Sequence, residues 1–131
     1  MRYMLMEYVQ EEGWTKLTPA EQEGWLDVVR AYIEALKNSG VLQGKTGLQR
    51  SSAATTVRTT DGKLQVLDGP YVDSKEQLGG YYIIDVPDLD AAISWASRSP
   101  TAQHGVVEIR PVRGDLADLL TANKGADACD D

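Results

Sequence analysis

Residues 3 to 8 are mostly apolar on both faces of an extended chain. Tyr3, Leu5 and Glu7 alternate with Met4, Met6 and Tyr8. A strand of this kind belongs in the middle of a sheet, with material covering both of its faces. A chain of 131 residues forms one domain and buries about two-thirds of the surface its unfolded form exposes.

The first cover is a helix. After a loop through Glu11, Glu12 and Gly13, Thr18-Pro19-Ala20-Glu21 is a strong start signal. Thr18 caps, Pro19 suits the first helical position, and Glu21 completes a capping box. Trp25, Val28, Val29, Tyr32, Ile33 and Leu36 then form an i, i+3, i+4, i+7 stripe that packs on a sheet, and Gly40 stops the helix. The spacing predicts a helix over 18–39, about 30 Å long. Residues 41–53 alternate apolar, glycine and small polar residues and read as an irregular strand or loop. Thr55 to Thr60 and Lys63 to Leu67 flank Asp61-Gly62, a hairpin signal because a type I′ turn needs positive φ at both central residues. Gly69-Pro70 breaks the second of these strands. Gly80 to Val86 is a further strand. Asp88 then caps a second helix with Leu89, Ala92, Ile93 and Ala96 on its apolar face and Trp95 beside them. Val106 to Val112 is the last strand, with Pro111 placing its end at a sheet edge or exit. Residues 114–121 read as a short helix and the remainder as a polar acidic end.

The order is β-α-β-β-α-β with extra hairpin material, an α+β ferredoxin-like arrangement with both helices on one sheet face. The other face also carries bulky groups, and Tyr81 and Tyr82 point to opposite sides of their strand. A second copy is the natural cover for that face, so a homodimer is expected.

Composition excludes several function classes. Thirteen Lys and Arg stand against twenty Asp and Glu, a net charge of −7. That argues against nucleic acid or an anionic membrane surface as the main partner. No window reaches the roughly 20 apolar residues of a membrane span, and residues 1–8 do not form a signal peptide, so the expected compartment is the cytoplasm. The single cysteine, Cys129, excludes an internal disulfide, and carboxylates around it disfavour its thiolate. One histidine excludes a histidine-rich metal centre, and no metal-ligand spacing or cofactor motif appears. Gly44-Lys45-Thr46-Gly47 contains Gly-Lys-Thr, but the preceding glycine is one residue too close and no strand-then-helix context surrounds it, so it is not a phosphate loop.

Asp68-Gly69-Pro70-Tyr71-Val72-Asp73-Ser74-Lys75-Glu76, followed by Leu78-Gly79-Gly80-Tyr81, resembles the signature segment of the DGPF branch of the YCII-related proteins. Residues 1–5, 54–58 and 107–112 fit the same family, and the resemblance spans about 1–113. Tyr71 stands where Phe is usual. The resemblance implies a dimeric α+β barrel of ferredoxin-like protomers, and DGPF-branch genes often lie beside genes for alternative sigma factors. In related YCII proteins a histidine in the first helix and an aspartate near the end of the second are proposed as an acid–base pair. This chain has no histidine in its first helix and has Ser97, Arg98 and Ser99 near the end of its second, so the pair is not carried over.

The candidate proton-handling groups are Asp68, Asp73, Glu76 and His104. Three of them lie in or beside a loop forced out of its strand by Gly69-Pro70, where a loop on a rigid scaffold either lines a pocket or makes a turn within the dimer contact. His104 titrates near neutral pH when unperturbed. The candidate ligand-binding residues are Tyr71, Lys75, Tyr81, Tyr82, Arg58 and Arg110. Each arginine either pairs with a carboxylate on a neighbouring strand or grips a ligand carboxylate through its two-pronged head. Trp14, Trp25 and Trp95 are core or pocket wall. Two functions fit: a small-molecule-binding protein near the Asp68–Tyr71 segment with acid–base chemistry, or a non-enzymatic interaction module working through its surface.

Overall fold

The computed structural model describes residues 1–114 and residues 120 and 121. Among the described residues, six strands and four helices follow one another as β1 (Arg2–Val9), α1 (Glu12–Thr15), α2 (Pro19–Asn38), β2 (Leu42–Gly47), β3 (Thr55–Thr60), β4 (Lys63–Asp68), β5 (Gln77–Asp85), α3 (Leu89–Arg98), α4 (Thr101–His104) and β6 (Val106–Pro111), with a 3-10 turn at Ser51–Ala53. The main sheet has the order β2-β5-β1-β6, and β3 and β4 pair only with each other. With that hairpin set aside as an insertion, the sheet is an antiparallel ferredoxin-like α+β sheet.

β1 is central, bonded to β5 on one side and β6 on the other, as its two apolar faces require. Tyr3 and Leu5 lie on the helix side with Tyr82 and Ile84 of β5, and these pack with Tyr32 and Leu36 of α2 and Ala92 and Ala96 of α3. Leu5, Leu36, Ile84 and Ala92 are wholly buried. The Tyr32 ring meets the Tyr82 ring edge-on at 5.5 Å, and its hydroxyl donates to the Trp95 carbonyl at 2.7 Å, tying α2 to α3. On the other sheet face Met4, Met6, Tyr81 and Ile83 remain half-buried.

The start of α2 follows its sequence signal. Thr18 Oγ1 accepts from the Glu21 amide at 3.1 Å, and the Thr18 amide donates to Glu21 Oε1 at 2.9 Å, with Pro19 in the first turn. The β3–β4 turn places Asp61 at φ 52° and Gly62 at φ 76°, the paired positive values that an Asp-Gly hairpin needs.

Two local expectations change. Glu12 and Gly13, read as loop, begin the short helix α1. It is held from outside: the carbonyl of Trp14 receives the Gln22 side-chain amide at 3.0 Å. Residues 42–47, within the stretch read as an irregular strand or loop, form the edge strand β2. Its strand character comes from backbone pairing with β5, interrupted by an irregularity between Leu42 and Gly44, and its glycines carry no strand propensity to announce it. The predicted helix over 114–121 and the Cys129 thiol lie outside the described residues, apart from Gly114, Leu120 and Thr121.

Candidate functional site

Alternation along β1 puts Glu7 on the same side as Tyr3 and Leu5, so a carboxyl group enters the row of core side chains. In register it faces Gly80 on β5 and Val107 on β6. Two hydroxyls meet it there. Ser99, which ends α3, donates to Glu7 Oε2 at 2.5 Å, and Thr101, the first residue of α4, donates to Oε1 at 2.9 Å. Ser99 and Thr101 are themselves buried, while Glu7 is half-buried. The Thr101 amide donates in turn to Ser99 Oγ at 3.3 Å.

The electrostatics of this cradle are mixed. Burial raises the Glu7 pKa above its ordinary value of 4.5, while the Ser99 and Thr101 hydroxyls pull it down and do not cancel the burial. A hydroxyl is both donor and acceptor, so the two can serve the carboxylate as donors and turn to receive its proton when it is neutral. Tyr82 is pushed up to about 12 by burial first and by the Glu7 charge second. Tyr32 is raised for the same reasons. Both phenols therefore stay protonated beside Glu7 at neutral pH.

Glu7 borders a cleft of about 580 Å³, shared between α1, α2, β2 and β5. That volume lies within the range of about 300–1,000 Å³ typical of ligand pockets. Trp14, Trp25, Val29 and Ile33 form one apolar side, and Lys45, Tyr82 and Thr101 stand among the polar groups. Close by is a second cleft of about 490 Å³, bordered by Tyr8, Ala53, Pro70, Val72, Glu76 and Leu78. Leu48 and Arg50 line both.

The residues singled out in the sequence are divided between these places. Tyr81 and Tyr82 border the larger cleft and Glu76 the smaller. Asp68 closes β4 opposite Thr55, and Asp73 and Lys75 lie exposed in the following bend; none of the three borders either cleft. Tyr71 is 72% exposed, and Arg58 lies over its ring at 5.4 Å and donates to its hydroxyl at 3.3 Å. Arg110 pairs with Glu108 at 2.8 Å, along its own strand rather than across to a neighbour, and that contact lowers the Glu108 pKa and raises that of Arg110. His104 ends α4 with its ring edge-on to Trp25 at 5.2 Å, next to a wall of the larger cleft.

Sequence reasoning placed Glu7 on its strand face and went no further. A charge in an otherwise core-facing row was the available signal, since Glu is almost never buried without partners. Its partners stand 92 and 94 residues away, beyond the reach of any spacing argument.

Comparison with known proteins agrees with the fold. The chain is 39% identical over 87 residues to the uncharacterized protein R00369 of Rhizobium meliloti (strain 1021), covering 65% of this chain and 67% of that one. Among solved structures it is similar to the 5-chloro-2-hydroxyhydroquinone dehydrochlorinase of Burkholderia phenoliruptrix AC1100, in complex with 2,5-dihydroxybenzoquinone. The TM-score is 0.52 at 14% identity, over 88% of this chain and 96% of that one. The family model described as the YCII-related domain matches residues 1–114, and the chain belongs to that family.

Proposed function

We propose that this protein binds a small organic molecule in the cleft floored by Glu7 and uses the Glu7 carboxyl to exchange a proton with it. The observation that carries this reading is the cradle itself: a half-buried carboxyl, raised in pKa by burial, gripped by two buried hydroxyls and facing a cleft of ligand size. A general acid or base works best when its pKa approaches the working pH, and burial moves Glu7 in that direction. The similarity of fold to a dehydrochlorinase that holds a cyclic dihydroxy compound supports a small-molecule role. His104, one turn along α4 from Thr101, packs edge-on against Trp25 in the cleft wall. The DGPF-like loop borders the neighbouring cleft through Pro70, Val72 and Glu76 and shapes the approach.

The same reading takes the working unit to be a cytoplasmic homodimer. Two copies would press their open sheet faces together into an α+β barrel, hiding Met4, Met6, Tyr81 and Ile83. Sedimentation velocity at micromolar concentration is expected to give a dimer, and a single monomeric species would remove the barrel.

A pH series tests the Glu7 assignment. From pH 4.5 up to the raised folded value, the folded chain keeps a proton that the unfolded chain has released, so stability falls as pH rises through that window. Glu7→Gln cannot ionise and removes this loss. The melting temperature of the variant is expected to match the parent below pH 4.5 and to move above it as pH increases. Curves that stay parallel throughout would show that Glu7 carries no raised pKa.

A further inference from the structure

Two acids and two bases border the Glu7 cleft, and they differ in how far they are already engaged. The acids bordering it are Glu7 and Glu11, and both are already engaged: Glu7 by Ser99 and Thr101, and Glu11 by the amide and hydroxyl of Ser51 at 2.7 and 2.8 Å. Lys45 and Arg50 border the same cleft, both exposed, and among the described residues neither has an ion-pair partner. Lys45 stands on β2 opposite Tyr82, and Arg50 leads into the 3-10 turn where the two clefts meet. Lys45 and Arg50 are therefore the cleft's uncommitted charges. Two cations without an ion-pair partner in a concave site stand out in a chain of net charge −7. Clefts focus such a field and raise the local concentration of ligands of opposite sign.

The shape of the walls narrows the class further. Trp14 and Trp25 put two large flat rings on the side formed by the helices, suited to a flat ring by offset or edge contact. The Arg50 guanidinium is a planar fork that matches a carboxylate through two parallel bonds, and Lys45 adds a point charge.

Resting on the reading that this cleft takes a small molecule, we infer that its ligand is a planar aromatic anion, held through its carboxylate or phenolate by Arg50 and Lys45 with its ring against Trp14 and Trp25. The anion then lies in the same cleft as the Glu7 carboxyl. Two negative charges close together disfavour each other, so binding favours the protonated form of Glu7 and affinity falls as pH rises.

Calorimetric titration of the full chain with salicylate and with its uncharged amide, salicylamide, tests this. Salicylate is expected to bind at least about tenfold tighter than salicylamide, a difference of about 1.4 kcal/mol. Lys45→Gln with Arg50→Gln is expected to erase that preference while salicylamide binding stays as it was. Both side chains are exposed, so the variant folds, and an unchanged far-ultraviolet spectrum checks this. Equal binding of both compounds to the parent protein, or a preference that survives in the double variant, would overturn the anion assignment and leave the small-molecule reading standing. Binding of neither compound at millimolar concentration would overturn both.

Discussion

Leu5→Ala is expected to lower the unfolding free energy by about 2–5 kcal/mol, as deletion of a large buried aliphatic side chain does. Leu5 has no exposed surface and sits on the central strand between Tyr82 of β5 and Ile109 of β6. Every neighbour that would have to collapse into the hole belongs to a paired strand or to the helices packed on it, so little relaxation is available. Leu5 is also the residue before Glu7 on the same face, and the hole opens beside the floor of the cleft. Urea unfolding measures the loss. Leu5→Met, which conserves volume, is expected to cost less than about 1.5 kcal/mol. Equal effects for the two substitutions would mean that this part of the core is not tightly packed.

Gly105→Ala is expected to cost about 3 kcal/mol, near the upper end of what forced overpacking brings. A Cβ at this position would stand 2.2 Å from the Tyr8 carbonyl oxygen and 3.5 Å from the Val9 Cα. These are backbone atoms of the central strand, so they cannot swing aside. β6 would have to move off β1 where Val106 faces Tyr8. The Gly105 amide donates to the Thr101 carbonyl at 2.7 Å, so the shift would also drag α4 and loosen the Thr101 bond to Glu7. The variant is therefore expected to melt at lower temperature and to change the titration of Glu7. Gly44→Ala is the control, because its Cβ would meet nothing within 4 Å. A Gly105→Ala protein as stable as the Gly44→Ala protein would contradict the close approach of β6 to β1.

The fold was largely legible because its signals are local. The capping box at Thr18, the Asp61-Gly62 turn and the two-faced strand at Tyr3–Val9 each work within a few residues, and each appears in the structure where its pattern places it. The edge strand β2 was legible only as an irregular strand or loop, because Leu42–Gly47 gains its conformation from β5 and not from its own side chains. The site was less legible for the same reason, on a larger scale. The Asp68–Glu76 segment drew attention because Asp, Gly and Pro cluster there, yet such residues make turns wherever they stand. Asp68, Asp73 and Lys75 border neither cleft, whereas Tyr81, Tyr82 and Glu76 do. Glu7 itself was visible only as a charge among core residues. Its importance emerges when Ser99 and Thr101 arrive from the far end of the chain.

The Glu7 carboxyl, half-buried beside a cleft and cradled by Ser99 and Thr101, holds its proton above the ordinary carboxylate value. Carbon-detected NMR titration of the Glu7 side chain in the intact protein measures this directly. A midpoint above 4.5 is expected, moving again when Ser99 and Thr101 are replaced by alanine. A midpoint at or below 4.5, with both hydroxyls in place, would contradict it.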